Sequence, residues 1–375
     1  MRIRLVSAIS AVCCLLGACS GGDSVSLPDI SGMTLREKVS KLFFIRPESL
    51  VPGFSWPGNE ALEAYSLQEV TDSMRAVAEQ YPAGGIILFA HNIKDREQLM
   101  RFGKDLHGLK GSPLLCVDEE GGRVARVANN RSFGLPRYKS MTALAEKGPE
   151  AVEEAAGNIG RYLKELGFDV DFAPVADVNT NPKNVVIGPR AFSDNPVTAG
   201  EMVAVYLKAL QNEGVTGCLK HFPGHGDTRN DTHLGYAVSN KSREELLQCE
   251  FLPFKAGIEA GARMVMSAHV SLPAVTGSDV PSTLSPEVLQ GLLREELGFE
   301  GIIVTDAMEM GAITQKYPVE EACLMAIKAG ADVLLCVKDY CRCVDRIVEA
   351  VETGDLPPSR IDQSVIRLLL AFPSE

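Results

Sequence analysis

The chain reads MVMSAH at Met264–His269, GIIVTD at Gly301–Asp306 and ADVLLCV at Ala331–Val337, three short apolar runs typical of buried strands. Segments with helical spacing separate these runs. The same alternation occupies the earlier part of the chain, where five more runs occur: Lys41–Arg46, Gly85–Ala90, Pro113–Asp118, Val170–Val178 and Gly217–His221. Strands that alternate with helices predict a parallel sheet covered by helices. Eight such units favour an α/β fold of the closed (β/α)8 TIM-barrel type over an open doubly wound sheet, and no glycine-rich dinucleotide fingerprint follows the first run.

Helix boundaries are also indicated by the sequence. Val152–Gly167 and Val203–Gly214 each carry an apolar stripe at three- to four-residue spacing and end on a glycine, as helices commonly do. Ser66–Glu69 and Ser242–Glu245 have a serine followed three residues later by glutamate, the pattern of a capping box. We therefore expect two long helices, and a helix start at each serine.

The composition is that of a globular protein with an acidic charge balance. The 375 residues are 45% hydrophobic and 23% charged, which is enough apolar material for a large core. Lys and Arg total 37 against 49 Asp and Glu, a formal net charge of −12. Binding to a phosphate backbone needs a basic surface, so we expect no nucleic-acid partner.

The N-terminus has the pattern of an export signal. Arg2 and Arg4 precede the uncharged apolar stretch Leu5–Ala18, which is too short to span a bilayer as a helix. The stretch ends in Leu-Gly-Ala-Cys19, which resembles a bacterial lipobox, although an ordinary signal peptide could also contain a cysteine. We expect a cell-envelope lipoprotein, anchored to a membrane outside the cytoplasm through lipidated Cys19. The predicted boundaries are a signal peptide at 1–18, a flexible tether at 19–32 and a single catalytic domain at 33–375.

Polar residues cluster where the predicted strands end. DEEGGRVAR follows the third run at Asp118–Arg126, KHFPGHGDT ends the fifth at Lys220–Thr228, and Asp306 ends the seventh. In a barrel, functional side chains gather at the carboxyl ends of the strands. This mixture suggests a ligand with several hydroxyl groups, and none of these motifs makes a phosphate cradle or a zinc-binding helix. We expect no metal, nucleotide or flavin cofactor.

These strand ends carry a family resemblance. Lys220–Thr228 followed by Asp231-Thr232-His233 resembles the signature of glycoside hydrolase family 3, in its β-N-acetylhexosaminidase branch. Four supporting matches occur in the family's order, so that the resemblance covers about residues 33–337: Asp118–Arg123, Gly188–Phe192, Pro281–Ser285 and Thr305–Met308. The resemblance implies a (β/α)8 barrel that removes a terminal β-linked N-acetylglucosamine with retention of configuration.

The resemblance also implies the catalytic residues. Asp306 would be the nucleophile, whereas from the residues alone it could equally cap a following helix. His233 with Asp231 would form the acid/base pair, since a carboxylate beside one imidazole nitrogen prepares the other to give and take a proton. Without the resemblance, this segment is better explained by a solvated turn.

The sugar contacts implied by matching position are Asp118, Arg126, Arg190, Lys220 and His221. We expect Arg123 to pair with Glu119 or Glu120 as a structural ion pair. The other polar residues near the strand ends should be structural: His225 and His269 as packed, hydrogen-bonded residues, Asp227 as a loop brace, and Asp171 and Asp177 as acceptors for backbone donors. Pro189 departs from the family pattern, which leaves the path of its loop open.

Peptidoglycan fragments are the expected carbohydrate substrate of such an envelope protein. The chain ends soon after the eighth run, so we expect no second domain to supply the acid, which favours the hexosaminidase branch. One alternative is a β-N-acetylglucosaminide phosphorylase using the same pair, because a neutral histidine would not repel phosphate. A remote alternative is a non-catalytic solute-binding lipoprotein. The oligomeric state is left open.

Overall fold

The structure is a computed structural model that describes residues 27–54, 56, 67–228 and 237–373. Eight parallel strands close into a barrel, one from each predicted run, which confirms the predicted fold class. The strands are β1 Phe43–Ile45, β2 Gly85–Leu88, β3 Leu114–Val117, β4 Val170–Asp171, β5 Thr216–Phe222, β6 Met264–Ser267, β7 Ile302–Ala307 and β8 Val333–Leu335. Each strand pairs with its neighbours in chain order, and β8 pairs with β1 to close the ring.

The strand β4 is shorter than the predicted run Val170–Val178. The run contains Pro174, which has no backbone N–H to donate to a neighbouring strand. Beyond the proline, the chain stays beside β5 through a bridge between Val175 and Lys220. The run therefore keeps its place in the barrel although its regular ladder ends at Asp171.

The described residues contain thirteen α-helices. They are α1 Leu35–Lys41, α2 Asp72–Gln80, α3 Arg96–His107, α4 Met141–Ala145, α5 Pro149–Glu165, α6 Pro196–Asn212, α7 Arg243–Gln248, α8 Phe251–Glu259, α9 Pro273–Thr276, α10 Gly311–Thr314, α11 Val319–Ala329, α12 Tyr340–Glu352 and α13 Pro358–Ala371. A π-helical segment occupies Glu287–Glu296, and short 3₁₀ turns lie at Pro47–Leu50, Ala90–Asn92, Arg131–Phe133, Gly188–Arg190 and Ser282–Leu284.

Three of the four predicted helix boundaries are confirmed. The helices α5 and α6 bury the predicted stripes and end before Gly167 and Gly214, whose φ angles of +87° and +84° lie in the left-handed region. The helix α7 begins with the capping box of Ser242. The prediction at Ser66–Glu69 is wrong: Ser66 lies outside the described residues, and the helix begins at Asp72, capped by the side chain of Thr71.

Two short ribbons extend from the carboxyl end of the barrel. Glu119–Gly121 pairs with Val124–Ala125 as an antiparallel ribbon after β3, and Ala237–Val238 pairs with Val270–Ser271 as a parallel ribbon after β5 and β6. These ribbons hold the polar segments that follow the strands, and so fix the end of the barrel where side chains converge.

A buried charge cluster at the amino end of β8 joins the last helix to the barrel. Asp332, fully buried, accepts hydrogen bonds from Arg294 at 2.6 Å, Arg367 at 3.0 Å and Ser364 at 2.5 Å. Burial alone would raise the pKa of Asp332, but the charges of Arg367, Arg294 and Arg360 lower it to about 2. The cluster ties α13 to the strands through one carboxylate.

The predicted signal peptide and Cys19 lie outside the described residues. In the part of the chain that the structure describes, no helix is both long enough and apolar enough to cross a membrane.

Candidate active site

A cavity of about 470 Å³ opens at the carboxyl ends of the barrel strands. All five predicted sugar contacts and the predicted nucleophile line it: Asp118, Arg126, Arg190, Lys220, His221 and Asp306. Asp118 and Arg126 follow β3, Arg190 lies in the loop after β4, and the other three belong to β5 and β7. The closed barrel thus brings distant sequence positions to one cavity.

Asp306 is the second-to-last residue of β7, where the strand reaches the cavity. The backbone N–H of Ala307 donates to its Oδ1 at 2.7 Å. The next helix, α10, begins at Gly311, and Met310 occupies its N-cap position. Asp306 therefore does not cap a helix, and its place on a rigid strand suits a carboxylate that must meet a substrate.

Asp118 is held by two cations. Its Oδ1 accepts a hydrogen bond from Lys220 Nζ at 2.8 Å, and its Oδ2 lies 3.4 Å from Arg126 Nη2. Burial works to raise the pKa of Asp118, but the charges of Lys220 and Arg126 hold it below its ordinary value. Asp118 is therefore an ionised acceptor, able to receive hydrogen bonds from sugar hydroxyls.

Glu120 is a cavity residue that the sequence analysis did not identify as one. Its carboxylate lies 2.6 Å from Lys220 Nζ and accepts two hydrogen bonds from Arg190, at 2.6 and 2.8 Å. Burial would raise its pKa, but the charges of Arg190 and Lys220 hold that pKa far below the ordinary value. Glu120 thus fixes two of the predicted sugar contacts in place.

The prediction that Arg123 pairs with Glu119 or Glu120 is wrong. Arg123 donates to the backbone carbonyls of Val185 and Val186, in the loop after β4. Glu119 faces away from the cavity and accepts hydrogen bonds from two backbone N–H groups and from Tyr162 at 2.8 Å. Successive side chains of an extended segment point to opposite faces, so one of the two glutamates turns towards the helices and the other towards the cavity.

Behind His221 lies a buried carboxylate. His221 Nδ1 is 2.7 Å from Asp177 Oδ2, and the other oxygen of Asp177 accepts the backbone N–H of His225 at 2.7 Å. Two glycines shape the loop that follows: Gly224 has φ +118°, and a Cβ at Gly226 would lie 1.8 Å from the carbonyl oxygen of Val178. The glycines let the loop after β5 pass closely over the loop after β4.

The polar residues predicted to be structural have that role. Both ring nitrogens of His269 form hydrogen bonds, to Thr283 and to the carbonyl of Ala307, each at 3.0 Å. His225 is buried, with Nδ1 2.7 Å from Thr228 Oγ1. Asp171 accepts the backbone N–H of Glu119 at 2.8 Å. Asp227 receives a hydrogen bond from Ser239 at 3.3 Å, and Asp177 serves a backbone donor as expected but also contacts His221.

Another part of the cavity is lined by two cations and an aromatic ring: Arg46, Lys338 and Phe89. The guanidinium of Arg46 lies 4.1 Å from the ring centre of Phe89 and pairs with Glu309. Lys338 Nζ lies 5.8 Å from the ring of Trp56. Arg46 and Lys338 each follow a strand directly or closely, so the rule that polar strand ends are functional could have found both.

The predicted acid/base residues Asp231 and His233 lie outside the described residues. Thr228, the last described residue before them, lies beside His225, which lines the cavity. Among the described ranges, no group of three or more His, Cys, Asp or Glu side chains is arranged to hold a metal ion.

A (β/α)8 barrel whose mouth presents a carboxylate beside a wall of ionised hydrogen-bonding groups is the architecture of a barrel glycosidase. Residues 34–371 match the N-terminal domain of glycosyl hydrolase family 3. The chain belongs to this family, which confirms the resemblance found in its sequence motifs.

Similar proteins place it near β-hexosaminidases. "Beta-hexosaminidase A" of Pseudoalteromonas piscicida is 34% identical over 77% of this chain and 53% of that protein. "Beta-hexosaminidase LpqI" of Mycobacterium tuberculosis is 32% identical over 97% of this chain and 96% of that protein. The structure of a family 3 β-N-acetylglucosaminidase from a Paenibacillus species superimposes with a TM-score of 0.81 at 35% identity, covering 91% of this chain and 62% of that one. The chain thus spans about half to two thirds of two of these relatives and nearly all of the third. The family match and these relatives together show a glycosidase of the hexosaminidase branch.

Proposed function

We propose that the protein is a retaining, exo-acting β-N-acetylglucosaminidase that hydrolyses a terminal β-linked N-acetylglucosamine. The observation that carries the proposal is the position of Asp306 at the end of β7, in one cavity with Asp118, Lys220 and His221. The β-hexosaminidase relatives support the choice of sugar.

The proposed reaction has two displacement steps. In the first, the carboxylate of Asp306 attacks the anomeric carbon while His233 gives a proton to the departing glycosidic oxygen, which leaves an ester on Asp306. In the second, water attacks that carbon, His233 takes the proton of the water, and Asp306 is released as a carboxylate. Asp231 would orient the imidazole of His233 and stabilise its charged form.

The ion-paired residues of the cavity suit the task of holding the sugar. Asp118, Glu120 and Glu309 each face a cation at hydrogen-bonding distance, so their charges are balanced in place. Asp118 would accept hydroxyl hydrogens, while Lys220 and Arg190 would donate to hydroxyl oxygens. A preorganised set of such groups binds the transition state without having to rearrange.

The natural substrate in this proposal is a peptidoglycan fragment. Lys338 on the cavity surface supports it, because this cation would attract a carboxylate on the leaving group. Peptidoglycan fragments carry such carboxylates next to N-acetylglucosamine.

The proposal is tested by comparing aryl β-N-acetylglucosaminide with aryl β-glucoside. The N-acetylglucosaminide should react far faster, because each polar partner of the acetamido group left unpaired costs about 1–3 kcal/mol. Equal rates would contradict the hexosaminidase proposal. Repeating the reaction in phosphate buffer separates hydrolysis from phosphorolysis, since free N-acetylglucosamine is expected and its 1-phosphate would identify a phosphorylase.

For the N-terminus, we propose a signal peptide at 1–18, a tether at 19–32 that begins with lipidated Cys19, and a catalytic domain at 33–375. A lipidated cysteine of this kind carries more than one acyl chain, so membrane anchoring should be stable. Cys19→Ser should move the protein out of the membrane fraction and block lipoprotein processing. Wild-type protein found wholly in the medium would contradict the lipobox interpretation.

A further inference from the structure

We propose that Asp177 is a positioning residue that holds His221 in the tautomer with its proton on Nδ1, so that Nε2 offers a lone pair to the cavity. A sugar hydroxyl would donate to that lone pair. The assignment of the tautomer stands on geometry alone, while the role of Nε2 as a sugar acceptor rests on the proposed function.

A hydrogen bond joins the two side chains. Asp177 Oδ2 and His221 Nδ1 are 2.7 Å apart, and Asp177 is 1% exposed. An ionised carboxylate can only accept, so the proton between them belongs to Nδ1. Burial would raise the pKa of Asp177, but its interactions with His221 and His225 keep that pKa below its ordinary value, which agrees with an ionised acceptor.

The other side of the His221 ring faces a hydrogen-bond donor. Arg190 Nη2 lies 3.4 Å from His221 Nε2, and a guanidinium has donors only. A proton on Nε2 would therefore point at another donor. Arg190 is itself fixed by Glu120 through two hydrogen bonds, so it cannot easily turn away. The acceptor Asp177 and the donor Arg190 therefore both favour the tautomer of His221 with its proton on Nδ1.

The second oxygen of Asp177 fixes the orientation of the carboxylate. Oδ1 accepts the backbone N–H of His225 at 2.7 Å, so turning the carboxylate away from His221 would also break this buried hydrogen bond. One carboxylate thus sets both the ring of His221 and the start of the loop after β5.

This arrangement makes a sharp prediction for Asp177→Asn. The carbonyl oxygen of the new amide would keep the bond from His225, and its NH₂ group would then face His221 Nδ1 as a donor. Nδ1 must become the acceptor, and the proton moves to Nε2, towards Arg190 and the sugar. The substitution should reverse the hydrogen-bonding character of His221 with little change in shape.

The direct test is ¹⁵N NMR of the histidine side chains in the wild-type protein near neutral pH. The chain has six histidines, so the spectrum is simple, and the signals that disappear in His221→Gln identify this ring. We expect a protonated Nδ1 and an unprotonated Nε2. A protonated Nε2 in the wild-type protein would overturn the proposal, and this result needs no folded variant of Asp177.

The kinetic test compares Asp177→Asn with Asp171→Asn on an aryl β-N-acetylglucosaminide. Asp171 is a matched control, because it is also buried and also accepts a backbone N–H, and burial raises its pKa well above its ordinary value. Asp177→Asn should raise KM about 10- to 100-fold, the effect of one lost hydrogen bond to a charged or polar partner, with a smaller change in kcat. Asp171→Asn should stay near wild type. An unchanged tautomer and KM in folded Asp177→Asn would overturn the proposal.

The two tests separate this inference from the proposed function. If the enzyme fails to cleave N-acetylglucosaminides but His221 carries its proton on Nδ1, the proposed function is wrong and the positioning by Asp177 stands. If cleavage is rapid and the proton is on Nε2, the proposed function stands and the positioning by Asp177 is wrong.

Discussion

Glu120→Gln should both destabilise the barrel and weaken substrate binding. Glu120 is 1% exposed and accepts from Lys220 and Arg190 at 2.6–2.8 Å, so its charge balances two buried cations. Glutamine keeps the shape but presents an NH₂ donor to one of those cations. Breaking a buried ion pair costs about 3–5 kcal/mol, and Lys220 retains Asp118, so we expect a loss near the lower end, about 3 kcal/mol.

The loss is measured as the free energy of unfolding in urea, followed by circular dichroism, together with kcat/KM of the folded variant. Glu119→Gln is the matched control: Glu119 is adjacent and equally buried, but its partners are neutral donors outside the cavity. That variant should lose stability but keep kcat/KM, whereas Glu120→Gln should lose both. Wild-type kcat/KM in Glu120→Gln would refute the reasoning that Glu120 fixes the sugar-binding cations.

The difference in stability between the wild-type protein and Glu120→Gln should also depend on pH. The folded-state pKa of Glu120 is depressed below its ordinary value of 4.5, so its stabilisation is present above that pH and is lost as pH falls towards the folded-state value. The stability difference between wild type and Glu120→Gln should therefore be constant near neutral pH and shrink below about pH 4.5. A difference that grows on acidification would contradict the depressed pKa.

Three further outcomes are expected. Asp332→Asn should lower the free energy of unfolding in urea by about 3 kcal/mol, because its arginines lose a shared carboxylate. Since the folded-state pKa of Asp332 is about 2, its contribution to stability should disappear only as pH falls below the ordinary value of 3.8. Full stability in the variant would contradict the cluster's role. His233→Ala should slow substrates with poor leaving groups more than activated aryl glycosides, and azide should restore its rate; wild-type rates on poor leaving groups would mean another proton donor. Lys338→Met should raise KM for N-acetylglucosaminides with a carboxylate on the leaving group and not for neutral ones, and an equal effect on both would argue against a charge contact.

The parts of the fold predicted from sequence are those that local pattern determines. Each barrel strand is a short apolar run, and an apolar stripe followed by a glycine indicates each of the helices α5 and α6. The error at Ser66–Glu69 arose because a capping-box pattern is short enough to occur where no helix begins. The predicted strand β4 is too long because the apolar run continues through Pro174, whereas the regular hydrogen-bond ladder with the neighbouring strands ends before it.

The pairing of charges in the site could not be predicted in this way. Arg190 meets Glu120 only because the barrel brings together segments 70 residues apart, whereas Arg123, three residues from Glu120, turns to the backbone of Val186. Sequence proximity suggested the wrong partner. The contact of Asp177 with His221 has the same origin, since Asp177 lies in the segment after β4 and His221 lies on the neighbouring strand β5. The roles of Asp306, Asp231, His233, Cys19 and the five sugar contacts stay predictions.

We expect Asp306 to form a covalent bond with the sugar during the reaction. This bond is tested most directly by incubating the protein with a 2-fluoro sugar or another slow substrate, digesting it and locating the added mass by peptide mass spectrometry. We predict one sugar per chain, attached at Asp306, and none in Asp306→Asn prepared in the same way. A sugar attached to another carboxylate such as Asp118 or Glu309, or a fully active Asp306→Asn, would contradict the account.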